Sequence, residues 1–346
     1  MAKVICLFNH KGGVSKTTTA FNLGWMMGKL GRRVLLVDCD PQCNLTGMAL
    51  GFNGIEDLED FYIPLPANNV RDGLAPAFES QPRLITDATC YEVKGNENLI
   101  ILPGHIALSE YETTLGVAQE LTGSLLPLRN VPGSLRYLID QTANALNIDY
   151  VLVDMSPSLG PLNQNLLTTS DFFMVPLHPD YFSSMALSSL ARALPRWQRW
   201  AVAAHGHDVL AQADYPFPQP NTKFLGAIIQ KYRPRMGKAS VAFQRWIDRL
   251  NAGLKDTLVP ALVSVGMVDP ADFETRIGQP PWQPIMEVAD FNGIIALSQD
   301  NQVPVYELTK QQVEQRGAVW DQTHESMQVF ERAFQDCAER VFKLTA

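Results

Sequence analysis

Three short stretches of this chain carry residues whose types and spacing suit polyphosphate chemistry. The first is His10-Lys11-Gly12-Gly13-Val14-Ser15-Lys16-Thr17-Thr18, two glycines and two lysines among hydroxyl residues. A triphosphate is a dense anion. The backbone N–H groups of a tight Gly-containing turn can all point at it, and a helix that follows adds its amino-terminal amides and dipole. In that chemistry the turn from Lys11 through Gly12, Gly13, Val14 and Ser15 to Thr18 cradles the phosphates. Lys16 reaches the β and γ phosphates as a mobile point charge, and Thr17 offers its hydroxyl to Mg2+. The second and third stretches end apolar runs in carboxylates: Val37-Asp38-Cys39-Asp40 and Val153-Asp154. The strict G-x-x-x-x-G-K-[ST] pattern is not met, because His10 and Ser15 stand where it has glycine. On these residues alone a glycine turn with two exposed lysines remains open, as do helix caps for Asp40 and Asp154.

Such residues need elements to hold them. Val4 to Phe8 is a nearly continuous apolar run, as in a strand buried on both faces. Thr17 to Leu30 is helical, with Ala20, Leu23, Gly24 and Met27 on one face, small residues for close approach to a sheet, and Gly31 placed as a left-handed cap. Val34 to Val37 is a second buried strand, so the opening unit is β-α-β with the glycine turn between strand and helix. Strands are expected again at Leu99 to Leu102, Tyr150 to Val153, Phe172 to Pro176 and Phe224 to Ile229, and helices at Leu135 to Leu146 and Val319 to Leu344. The alternation predicts an α/β fold, a doubly wound, mostly parallel sheet flanked by helices. Ligands then sit beyond the carboxyl ends of the strands, where Asp38 and Asp154 fall. Residues 1–346 read as one domain with insertions near 52–97, 206–222 and 269–284, the last made irregular by four prolines.

Lys-Gly-Gly-Val-Ser-Lys-Thr-Thr resembles the deviant Walker A motif of the ParA/MinD family of P-loop ATPases, with Ser15 where the family has glycine and Lys11 matching its signature lysine. Asp38-Cys39-Asp40-Pro41-Gln42-Cys43-Asn44-Leu45-Thr46 resembles the switch motif of ParA proteins, and Val151 to Leu159 their Walker B segment. The three motifs come in family order, and weaker echoes extend the similarity over residues 3 to 240. The resemblance implies a slow ATPase that closes as a homodimer around two ATP-Mg2+. Lys11 would cross into the partner's site as an arginine finger does. Asp40 would orient or deprotonate the attacking water, Asp38 would hold the Mg2+ shell through water, and Asp154 would be the Walker B carboxylate beside Thr17. Gln230 takes the place of a family asparagine that reads adenine after the Phe224 to Ile229 strand, with Lys231 and Pro234 lining the same pocket. The resemblance also implies a ParB-like activator that stimulates hydrolysis, DNA partitioning as the process, and nucleoid association; the scattered cysteines and the lack of a membrane-length apolar run point to the cytoplasm. A regulatory or scaffold ATPase of the same fold, in defence, secretion or polar positioning, is the alternative.

Charge bounds the partners. The net charge is −8, which excludes a uniformly basic nucleic-acid binder. Yet residues 192–249 hold ten basic groups against Asp208, Asp214 and Asp248, with Trp197, Trp200 and Trp246 interleaved. That stretch is either an ordinary solvated surface or a footprint for nonspecific binding to the DNA backbone. With the phosphate loop starting at residue 11, no reader of base edges is expected ahead of it. The five cysteines are scattered, which argues against a disulfide framework, and Cys39 and Cys43 do not match the cluster ligands of the reductases that share this fold. His205 and His207 lack a third metal ligand nearby. No apolar run approaches a membrane span, and five acidic groups against three basic ones over 319–344 argue against docking on anionic lipid.

Overall fold

The computed structural model of the chain describes all residues except 52–60, 62–66, 122–125, 233, 236–237, 240 and 291–292. The strands are β1 (Lys3–Leu7), β2 (Val34–Cys39), β3 (Tyr91–Glu92), β4 (Leu99–Leu102), β5 (Tyr150–Met155), β6 (Phe172–Leu177), β7 (Lys223–Tyr232), β8 (Pro234–Arg235), β9 (Lys238–Ala239) and β10 (Met286–Ala289). Eight of them form one sheet in the order β10-β7-β6-β1-β5-β2-β4-β3, and β8 pairs with β9 as a separate hairpin. Every pairing in the large sheet is parallel except β3 with β4. Every residue of β2, β4 and β5 is buried, which explains why these strands run apolar without alternation up to the aspartates Asp38 and Asp154 near the carboxyl ends of β2 and β5. From β1 the chain winds outward to β2 and β4, returns to fill the gap at β5, then winds the other way through β6 and β7. The reversal of winding falls at β1, and in such sheets ligands usually sit beyond the carboxyl ends of the strands at that point.

The helices of seven residues or more are α1 (Lys16–Lys29), α2 (Asn44–Leu50), α3 (Val70–Phe78), α4 (Glu110–Glu120), α5 (Val131–Ala145), α6 (Pro161–Thr169), α7 (Tyr181–His205), α8 (Val241–Gly253), α9 (Pro270–Ile277), α10 (Ile294–Asn301) and α11 (Gly317–Leu344). α1 lies tight on the sheet because Gly24 has no side chain: a Cβ there would come 2.8 Å from Leu36 Cδ2 and 3.2 Å from Leu99 Cδ1. Gly31 takes the left-handed conformation at φ 80°, and the N–H groups of Gly31 and Arg32 return to the carbonyls of Gly28 and Met27. α11 packs one apolar face on the core: Met327, Phe330, Phe334, Cys337 and Val341 are buried, and Trp320 is partly buried.

Three expectations are corrected. The 269–284 stretch is not wholly irregular, because Asp269 caps α9 by accepting the Ala271 N–H at 2.9 Å and Pro270 occupies its first turn. β7 runs past Ile229 to Tyr232, since β10 pairs alongside and matches Val288 to Gln230. β10 itself was not expected. The segment near 52–97 lies partly outside the described residues, and its described part contains α3 and β3.

Candidate active site

The loop between β1 and α1 is anchored by Asn9, which is fully buried. Its amide donates to the Pro176 carbonyl at 2.8 Å, tying the loop to β6. Its Oδ1 accepts the Lys11 backbone N–H at 3.0 Å, and its carbonyl accepts Lys16 Nζ at 3.1 Å. Lys16 Nζ also reaches the Lys11 carbonyl at 3.4 Å, so the ammonium is folded back inside its own turn. Burial lowers the Lys16 pKa, against the opposing pull of Asp154 and Asp40. Such a cation gains from an anion brought to it.

Ser15 sits at the amino end of α1 with φ 61° and ψ 35°. An L-residue is strained there, which is why the usual motif has glycine. The strain is held in place by Thr19, whose hydroxyl donates to the Ser15 carbonyl at 2.6 Å. Ser15→Gly is therefore expected to stabilise the nucleotide-free protein. Relief of about 1–2 kcal/mol is offset by about 0.5–1 kcal/mol of extra chain entropy in the unfolded state, for a net gain of about 0.5–1 kcal/mol. Urea denaturation measures it; a loss of stability would mean that the Ser15 side chain makes a contact worth more than the strain.

The carboxylates meet through sheet register. Asp38 on β2 pairs with Asp154 on β5, and both are fully buried. Asp38 is well bonded: Oδ2 accepts the Thr46 N–H at 2.8 Å and its hydroxyl at 2.7 Å, and Oδ1 accepts the Asp40 N–H at 3.2 Å. Burial nonetheless pushes its carboxyl up to about 6, against those bonds. Asp154 Oδ2 accepts the Thr17 hydroxyl at 2.6 Å, but Oδ1 is buried with no hydrogen-bond partner among the described residues. Burial, then the charge of Asp38, pushes Asp154 up to about 8. Two adjacent buried carboxyls, one with an orphaned oxygen, beside a threonine hydroxyl make an all-oxygen donor set. That set fits a hard divalent cation such as Mg2+. Asp40 lies just past β2, 7% exposed, with Oδ1 accepting the Gln42 N–H at 3.0 Å.

Lys11 points elsewhere. Its ammonium pairs with Asp180 Oδ2 at 2.5 Å, lies 3.2 Å from Ser183 Oγ, and sits 5.9 Å from the centre of the Phe182 ring. Asp180 caps α7 by accepting the Ser183 N–H at 2.8 Å. Burial opposes its charge, but Lys11 and the Ser183 N–H hold the Asp180 carboxyl below its ordinary range.

Among the other expected site residues, Gly12 and Gly13 form the turn, Gly13 at φ 72°, and both are exposed. Val14 is buried and Thr18 half-buried. Gln230 is placed differently from the expectation. It lies within β7 rather than beyond it, is fully buried, and donates its amide to the Thr19 hydroxyl under the phosphate loop. Lys231 lies in β7 and Pro234 in β8, but their side chains, with Arg233, fall outside the described residues. The residue patterns did not single out Asn9, Asp180 or the role of Thr46. A signal existed for Asp180, since it follows the carboxyl end of β6, where this fold puts ligands.

An ATP-type site on this fold defines a P-loop NTPase. The AAA domain family profile matches residues 2–201. The sporulation initiation inhibitor protein Soj of Bacillus subtilis is 33% identical over 193 residues, 55% of this chain and 64% of that protein. The chromosome partitioning protein ParA of Caulobacter vibrioides is 32% identical over 195 residues, 56% of this chain and 62% of that protein. The matches thus span less than two thirds of each of these two relatives. A solved structure of a Cyanothece McdA variant in complex with ATP has a TM-score of 0.57 at 16% identity, covers 96% of each chain, and agrees in fold. The chain belongs to the ParA/MinD family of P-loop ATPases.

Proposed function

We propose that residues 1–346 act as one slow ATP-driven switch that binds ATP-Mg2+, closes as a two-nucleotide homodimer and hydrolyses the γ-phosphate bond. The observation that carries the reading is the orphaned Asp154 oxygen beside Thr17, at the foot of a turn with two lysines. Thr17 and Asp154 would hold the cation and Asp38 would stand behind them, its oxygens already bonded to Thr46 and Asp40. Mg2+, when bound, supplies charge neutralisation on the β and γ oxygens. Lys16 holds those phosphates in its own subunit, and Lys11 answers the charge in the partner's site. Asp40, just past the carboxyl end of β2, aligns a water and takes its proton. Lys231 and Pro234, on β7 and β8, would line the adenine side, whereas Gln230 supports the phosphate loop through Thr19.

The process we propose is DNA-based positioning of a cargo, with a ParB-like activator triggering release. Arg192, Arg196 and Arg199 support it: all three are exposed along one face of α7, at helical spacing. Soj and ParA carry sporulation and chromosome-partitioning names. Among the described residues no helix is long and apolar enough to cross a membrane. DNA retention is measured with ATP and with ADP across a salt series. The expected result is ATP-dependent, sequence-indifferent binding that weakens steeply with salt. Changing the three arginines to alanine should flatten the slope of log K against log salt by about 0.9 per lost phosphate contact. Absence of DNA binding in every nucleotide state would leave the scaffold reading, with another cargo.

A further inference from the structure

The two carboxylates that strand register brings together have unequal surroundings. Asp154 keeps one oxygen open among the described residues, with the Thr17 hydroxyl on the other. Asp38 is closed. Its Oδ2 accepts two donors from a single residue, the Thr46 N–H at 2.8 Å and the Thr46 hydroxyl at 2.7 Å. Its Oδ1 accepts the Asp40 N–H at 3.2 Å. Most of the roughly four lone-pair sites of that carboxylate are therefore taken. The Thr46 oxygen is used a second time, since it accepts the Gly104 N–H at 2.9 Å. Gly104 also walls in Asp38: a Cβ there would come 2.9 Å from the Asp38 carbonyl oxygen and 3.0 Å from its Cγ. Thr46, Asp38 and Gly104 are all buried, so bulk water does not compete for these bonds. One threonine in the first turn of α2 thereby ties that helix, the carboxyl end of β2 and the turn after β4 together.

We propose that Thr46 sets the cation preference of the site, by holding Asp38 out of direct contact with a cation bound at Thr17 and Asp154. The inference rests on the ATP-Mg2+ reading above and names the residue that makes magnesium the choice. The chemistry is a contrast between two hard ions. Mg2+ is small, demands octahedral geometry at about 2.0–2.1 Å and keeps several waters. Ca2+ takes about six to eight oxygens at about 2.3–2.6 Å and accommodates extra carboxylates. One open carboxylate beside a closed one leaves places for water, which suits Mg2+. Releasing Asp38 Oδ2 offers a further charged oxygen from the neighbouring strand, which suits Ca2+ better. Thr46 is thus a positioning residue that acts through Asp38.

The full chain tests this with the β,γ-imido analogue of ATP, its affinity measured as Mg2+ or Ca2+ is titrated in, and with melting temperatures taken without nucleotide. Thr46→Val keeps the shape and the backbone N–H but loses the hydroxyl. It should lower the preference for Mg2+ over Ca2+ at least about tenfold, the low end for outer-shell partners of metal ligands. Thr46→Ser restores the hydroxyl and should keep the wild-type preference within about twofold. In an Asp38→Asn background the valine should change the preference little, because the residue it acts through has lost its charge. Thr46→Ala replaces the valine variant if that protein does not fold. Equal weakening of both cations, with a lower melting temperature, would mean that Thr46 only holds the fold; it would overturn the inference and leave the ATP-Mg2+ site standing. A loss of preference just as large in the Asp38→Asn background would overturn it too. If neither cation alters nucleotide affinity in the wild-type chain, the ATP-Mg2+ reading fails, and this inference with it.

Discussion

Asp40→Ala is expected to bind ATP-Mg2+ and to dimerise while hydrolysing at least about 100-fold more slowly, the low end for loss of a positioned general base. The separation follows from where Asp40 sits. It lies beyond the end of β2, and among the described residues its carboxylate accepts only the Gln42 N–H, at 3.0 Å. Its backbone N–H, which supports Asp38, survives the substitution. The phosphate-binding turn and the Thr17–Asp154 pair are untouched, and the loss of one negative charge near the phosphates should tighten ATP binding slightly. Single-turnover hydrolysis with equilibrium binding on the same sample separates the two effects. Normal turnover by this variant would remove Asp40 from the reaction.

Lys16→Met should act with opposite signs on stability and binding. Lys16 is 7% exposed, and burial depresses its pKa. A lysine whose folded pKa lies below its unfolded value burdens the folded state wherever it is charged, and that burden disappears only above about pH 10.4. At neutral pH a methionine of similar length removes it, so the nucleotide-free variant should melt no lower than wild type. Binding should weaken at least about 100-fold, since one ion pair at 4 Å in a partly buried site is worth about 4 kcal/mol. Thermal unfolding without nucleotide and titration with ATP-Mg2+ check the two halves. A variant that binds as wild type does would mean the phosphates sit out of reach of Lys16.

What was legible in the sequence was whatever depends on local pattern. The parallel strands announced themselves as unbroken apolar runs, because a strand covered on both faces has no polar side to interrupt it. Gly24 and Gly31 marked a close approach and a cap that both occur. The phosphate loop was legible because its chemistry is carried by consecutive residues. Pairings across long stretches of sequence were hidden. Asp180 meets Lys11 from 169 residues away, and nothing local to either predicts it. The amide of Gln230 turns to Thr19 because β10 extends β7, and β10 is only four residues long. Pro270 looked like a breaker because prolines crowd that stretch, yet a proline in the first helical turn is preorganised rather than disruptive.

The pairing of Asp38 with Asp154 across neighbouring strands has an evolutionary consequence. Their spacing is a constant of hydrogen-bonded ladders, not a product of the connections above them. Crossovers can be lengthened, trimmed or rewritten without re-solving the distance between these two carboxylates. Diversity would then gather in the loops while the pair of carboxylates stays still.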